Sequence, residues 1–174
     1  MNAESILVAF AALGVSLAGF AGIVGALAGE KLHPADPGLW LPFWVMISGG
    51  LSIVFAALFP VLPHYLGAPD RVSWAAASGV VAVLTGSSIA FFTPRFVQAR
   101  RHGFLARTLA FDVLLYLLSF ILLVSQALNA LGVGLLQSAG GFLTGLYLML
   151  LISALNFVYL LYVLAHARRG PPAT

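Results

Sequence analysis

Polar side chains recur along one side of an otherwise apolar stretch, residues 106–131: Thr108, Asp112, Tyr116, Ser119 and Gln126. At about 100° per residue on a helix they share an arc of roughly 80°. Asp112 is the acidic residue inside an apolar run. A carboxylate in that setting can carry a proton, hold a cation or line a polar pathway. It can equally be half of a structural ion pair. An ionisable group at membrane depth costs at least about 2.5 kcal/mol, so such a side chain faces protein or water rather than lipid. Arg107 and Arg101 are the candidate ion-pair partners, because a long arginine can reach into an apolar layer while its head stays near the surface.

A matching face follows in residues 141–164, where Ser153, Asn156 and Tyr159 repeat at helical spacing. Asn156 and Tyr159 approach the depth of Asp112 if the two stretches form an antiparallel hairpin. Asn156 has a plainer role as an interhelical hydrogen bonder, worth about 0.6 kcal/mol. Gln126 and Asn129, at the far end of the first stretch, suit either packing or a pathway lining.

Catalytic signatures are missing. The chain has no H-E-x-x-H, no G-x-S-x-G and no phosphate-binding loop. The hydroxyl-rich centre at Thr85, Ser87 and Ser88 has no neighbouring base. The four histidines are spread over four separate segments, so no metal site is expected. Nothing in the sequence calls for a cofactor.

The elements that carry these residues follow from composition. The 174 residues are 61% hydrophobic and 7% charged, with mean hydropathy +1.06. A soluble domain carries about 25% charged residues, so this inventory cannot make a water-facing surface. The expected class is an all-α, polytopic integral membrane protein with a single domain over 1–174. The net charge of +3 comes from a few basic residues between apolar runs, which fits membrane topology and not nucleic acid. With no cysteine, disulfides and thiolate chemistry are excluded.

Five transmembrane helices are expected, at about 6–28, 39–62, 72–92, 105–131 and 141–164. The first carries Glu4 and no preceding Lys or Arg, and it is longer than the roughly 7–15 apolar residues of a signal peptide. Gly14, Ala18 and Gly22 form a groove of small side chains along it, suited to close helix approach, as do Gly141 and Gly145 in the fifth. Pro60 and Pro63 should kink or stop the second span near residues 58–60. The stretch Gly19-Phe20-Ala21-Gly22-Ile23-Val24 resembles a family of uncharacterised small multi-span bacterial inner-membrane proteins. The likeness covers mainly the first span, with some in the second. It implies an inner-membrane location and brings no activity, cofactor or functional residue.

Two functions fit these features. One is a homo-oligomeric channel or transport protein in the inner (plasma) membrane, with the polar stripe of the fourth span lining the pathway. The other is a non-catalytic subunit or scaffold packed against a larger membrane partner. An enzyme acting on a lipid or quinone, with Asp112 as acid or base, is a weaker third. The expected partners are the lipid bilayer and either further copies of the chain or a membrane complex.

Five spans place the termini on opposite sides. Lys31, Arg95, Arg100, Arg101, Arg107, Arg168 and Arg169 then share a side, facing Arg71 on the other. The positive-inside rule makes that basic side cytoplasmic, with the N-terminus outside. A reporter fused at the C-terminus should therefore be active in the cytoplasm, and one inserted in 63–70 active outside it. A C-terminal reporter active only outside would overturn the five-span topology.

Overall fold

The computed structural model describes residues 3–29, 37–102, 109–133 and 138–167. Its elements are α1 (Ala3–Ala28), α2 (Pro37–Leu58), α3 (Val61–Tyr65), α4 (Asp70–Arg101), α5 (Leu109–Leu131) and α6 (Ala139–Ala167). Among the described residues, five stretches of helix are long and apolar enough to cross a membrane, and the second of them, Gly38–Tyr65, takes in α3 together with α2.

Local chemistry sets the breaks. Pro60 has no N–H to continue α2, which stops at Leu58 and restarts as the single turn of α3. At the end of α5, Gly132 adopts φ +72°. The Val133 N–H then reaches back to the Leu128 carbonyl at 3.0 Å, the left-handed glycine cap of a helix C-terminus. Ser138 caps α6 by accepting the Gly141 N–H on its hydroxyl at 3.2 Å.

One boundary departs from expectation. The third expected span ends at Phe92, before Thr93-Pro94, yet α4 runs through Pro94 to Arg101. At 1.5 Å per residue, its 32 residues extend about 48 Å. A proline inside an apolar helix removes one bond, whereas ending the helix there would strand several backbone groups. The basic residues Arg95, Arg100 and Arg101 consequently ride on a helix. The residues between Gly103 and Thr108, including the expected start of the next span and Arg107, lie outside the described residues.

Helices α2, α4, α5 and α6 form a ring, and α1 lies outside it, mostly against α2. An apolar cluster fills the end away from Arg95, Arg100 and Arg101, with Ile53, Ala57, Val81, Leu122, Phe142 and Leu146 at its heart. A smaller one, Leu41, Phe96 and Ala99, ties α2 to α4 at the basic end. A third, including Ala21, Met46 and Leu160, binds α1 and α2 to α6.

The small-residue groove of α1 is used over part of its length. A Cβ on Gly14 would fall 2.7 Å from the Gly50 carbonyl oxygen, and one on Gly50 would fall 3.2 Å from the Ala18 Cβ. The backbones of α1 and α2 therefore touch there, which is why Gly14 and Ala18 are small. Gly22 lies beyond the contact: a Cβ there meets nothing within 4 Å. Within this chain, then, the α1–α2 contact takes in Gly14 and Ala18, and the face at Gly22 is left open.

Gly14→Ala should therefore destabilise the protein by about 1–3 kcal/mol, the usual cost of overpacking, while Gly22→Ala should leave it unchanged. Thermal unfolding in detergent checks this. Equal melting shifts for the two variants would mean that the α1–α2 contact is not the one described.

Candidate functional site

Between the two apolar clusters of the ring lies a cavity of about 130 Å³. Each of the four ring helices turns a face of i, i+3, i+4 residues into it. Ser48 and Ser52 come from α2; Thr85, Ser88 and Thr93 from α4; Asp112, Tyr116 and Ser119 from α5; Ser153 and Asn156 from α6. The rest of its wall is apolar, with Phe92 and Phe96 toward the basic end and Leu122 and Met149 at the other. Leu122 and Met149 also belong to the apolar cluster beneath, which closes that end.

The basic end is closed by charge. Asp112, in the first turn of α5, is buried, and its Oδ2 accepts a hydrogen bond from Nη1 of Arg100 in the last turn of α4. The Asp112 side chain is 11% exposed and that of Arg100 is 38% exposed. The guanidinium thus spans from the cavity wall to the surface, as a long cationic side chain can. Arg100 is not among the expected partners. Arg101, one candidate, is exposed, while Arg107, the other, lies outside the described residues. The reason is helical phase: Phe92, Phe96 and Arg100 stand four apart on one face of α4, and Arg101 is turned about 100° further round.

The expected site residues divide into two groups. Asp112, Tyr116, Ser119 and Asn156 meet at the cavity. Gln126 and Tyr159 do not line it. Gln126 is fully buried and donates from Nε2 to the Gly141 carbonyl at 2.9 Å. A Cβ on Gly145 would sit 2.4 Å from Gln126 Cδ, so α6 needs glycine where this amide crosses. Asn129 belongs to the same lock. It donates to the Ser78 hydroxyl at 2.6 Å and accepts the Ser138 N–H at 3.3 Å, joining α4, α5 and the start of α6. Tyr159 is buried with its ring 5.8 Å from that of Phe111.

The hydroxyls of α2 and α4 were not among the expected site residues, whereas Ser153 of α6 belongs to the face expected to match Asp112. Their signal was present as polar residues three or four apart: Ser48 with Ser52, Thr85 with Ser88, Ser153 with Asn156. Each pair alone reads as a helix-packing face. Only the ring, in which the pairs converge, makes a cavity of them.

Hydrogen-bond accounting separates spent from unspent groups. Ser48 donates to the Val45 carbonyl, Ser119 to that of Leu115, and Asn156 Nδ2 to that of Ile152. Serine and threonine reach their own helix backbone readily. A tyrosine phenol cannot, and Tyr116 Oη is buried without a hydrogen-bond partner among the described residues. Thr93 Oγ1 is in the same state. Among the described residues, no three His, Asp or Glu side chains converge as a metal site would require.

No protein-family model matches the chain, and no curated protein or solved structure is similar enough to count as a match.

If Arg100 and not Arg101 holds Asp112, a double-mutant cycle of Arg100→Gln with Asp112→Asn should give a coupling energy above about 0.5 kcal/mol, as contacting residues do. The same cycle with Arg101→Gln should be additive within about 0.5 kcal/mol. Coupling through Arg101 alone would reassign the pair.

Proposed function

We propose that this chain is a multi-pass protein of the inner (plasma) membrane, with its N-terminus outside and its C-terminus in the cytoplasm. In this reading it acts as a small transport protein of the carrier type. The observation that supports the reading is the inward placement of the polar stripe. Asp112, Tyr116 and Ser119 face a cavity within one chain, where hydroxyls from three other helices join them. A pore between copies would need that stripe on the outer surface. A cavity closed by side chains at both ends suits a carrier that holds one molecule at a time. Homo-oligomers, in this proposal, associate through lipid-facing helix surfaces and keep one cavity per copy.

A second reading, a non-catalytic subunit or scaffold, is favoured by α1. Gly19 and Gly22 open onto empty space, and Phe20, Ile23 and Leu27 beside them are exposed. A helix of a membrane partner could cover that face.

Proteoliposomes separate the two. The probe is a radiolabelled short-chain alkyl amphipath with an uncharged six-membered lactam ring as its head, its movement between leaflets followed by back-extraction of the outer leaflet into albumin. As a carrier, the protein should accelerate transfer over empty liposomes. Ser88→Trp, which fills the cavity, should abolish the gain, and Asp112→Asn should change the rate by about threefold or more. A scaffold moves no probe, and there Asp112→Asn would only lower the unfolding temperature.

A further inference from the structure

We infer that the cavity receives the ring-sized, uncharged head of an amphipathic molecule, bearing a hydrogen-bond acceptor such as a carbonyl or ether oxygen, which enters from the bilayer between α2 and α4. The inference rests on the carrier reading and names the class of molecule carried.

Size is the first constraint. A cavity of about 150 Å³ in a protein core takes one benzene ring, and this one is about 130 Å³. It has room for a single six-membered ring, and an alkyl tail would have to remain outside. The wall suits a ring, since Phe92, Phe96 and Tyr116 contribute aromatic surface.

Charge is the second. Among the described residues the one ionisable acid or base at the wall besides Tyr116 is Asp112, and Arg100 pairs with it from the basic end. An anion or a cation entering the cavity would have to break that pair or be buried without a counter-charge, and burying an unpaired charge is strongly unfavourable. A neutral head avoids both.

The third is the supply of donors. Ser48, Ser119 and Asn156 already donate to backbone carbonyls. The Tyr116 hydroxyl, beside the cavity, is buried with no acceptor among the described residues. Buried polar groups in proteins are rarely left so. Thr93 Oγ1 is placed alike. Both oxygens are shielded as the side chains stand, and each would donate to an entering acceptor oxygen once its side chain turns toward the cavity it lines.

The fourth is the route. Around the ring, α2 and α4 make the thinnest contact. They meet through Ile53, Ala57, Ala77 and Val81 at one end and through Leu41, Phe96 and Ala99 at the other. Between those clusters, Ser48 and Ser52 of α2 face Thr85 and Ser88 of α4 across the cavity. A side slot between helices admits a head from the bilayer while its tail stays in lipid.

The absence of cysteine provides a clean test. Ser52→Cys places one thiol in the cavity wall, and Ser16→Cys places one on the exposed side of α1. Each is reacted in lipid vesicles with methyl methanethiosulfonate, which is neutral and membrane-permeant. Four probes compete at equal membrane mole fraction: 4-octylacetophenone, octylbenzene, 4-octylbenzoate and 4-octylbenzylammonium. The ketone should slow modification of Ser52→Cys by about threefold to tenfold, the worth of one or two neutral hydrogen bonds. It should do so without affecting Ser16→Cys. Adding Tyr116→Phe should remove most of that protection. Octylbenzene protecting as well as the ketone would overturn the acceptor requirement. Stronger protection by the benzoate or the ammonium would overturn the neutral class and leave the carrier reading standing. A Ser52→Cys thiol that reacts freely and is protected by none of the four would overturn the cavity as a site, and the carrier reading with it.

Discussion

A carboxylate inside an apolar bundle must have a cation within reach, and the geometry of this protein is arranged to supply one. Asp112 sits in the first turn of α5, and its partner Arg100 belongs to the preceding helix. For the two to meet, α4 must continue past the proline at position 94 and keep its phase, so that Phe92, Phe96 and Arg100 fall on one face. The same continuity puts Phe96 and Ala99 against Leu41 and joins α4 to α2 at that end. The ion pair thus joins the last turn of α4 to the first turn of α5 at the basic end of the cavity. An isolated pair of this kind is weak evidence for stability, because desolvation offsets much of the attraction. Its larger effect is on register, since it is Arg100 and not the neighbouring Arg101 that the observed phase of α4 turns toward Asp112.

Most of the architecture was legible in the sequence because apolar runs of helical length have few alternatives. The stretches that form α1, α2, α5 and α6 announce themselves by length and by flanking turn residues, and Pro60 marks the end of α2 by chemistry alone. The C-terminal third of α4 did not, since Thr93-Pro94 followed by arginines reads as a stop. Whether a proline ends or merely bends a helix depends on whether the freed groups have somewhere else to go, and that is decided by neighbours.

The site was legible by halves. The stripe on α5 could be read from periodicity, because its polar members stand out against leucine and valine. Its partners could not, because serines three or four apart on α2 and α4 look like packing faces until the helices are placed in a ring. The sequence leaves packing and lining equally open for Gln126. It shares the stripe with Asp112, yet it faces the Gly141 carbonyl and the bare backbone at Gly145, and it works as a clamp between α5 and α6. Angular position on a helix says which side a residue faces, but not what stands there.

The order in which the helices neighbour one another bears on how the protein could be made. The α1–α2 contact, with its bare backbone at Gly14 and Gly50, joins consecutive helices and could zip as soon as both exist. The hairpin of α4 and α5 is likewise local. The wall between α2 and α6 is not, since it joins the second helix to the last of those described. Until α6 arrives, the serines of α2 and the carboxylate of α5 have no complete enclosure. A ribosome-bound chain would therefore carry an unsealed polar seam through most of its synthesis, and its biogenesis would depend on whatever shelters that seam until the final helix docks.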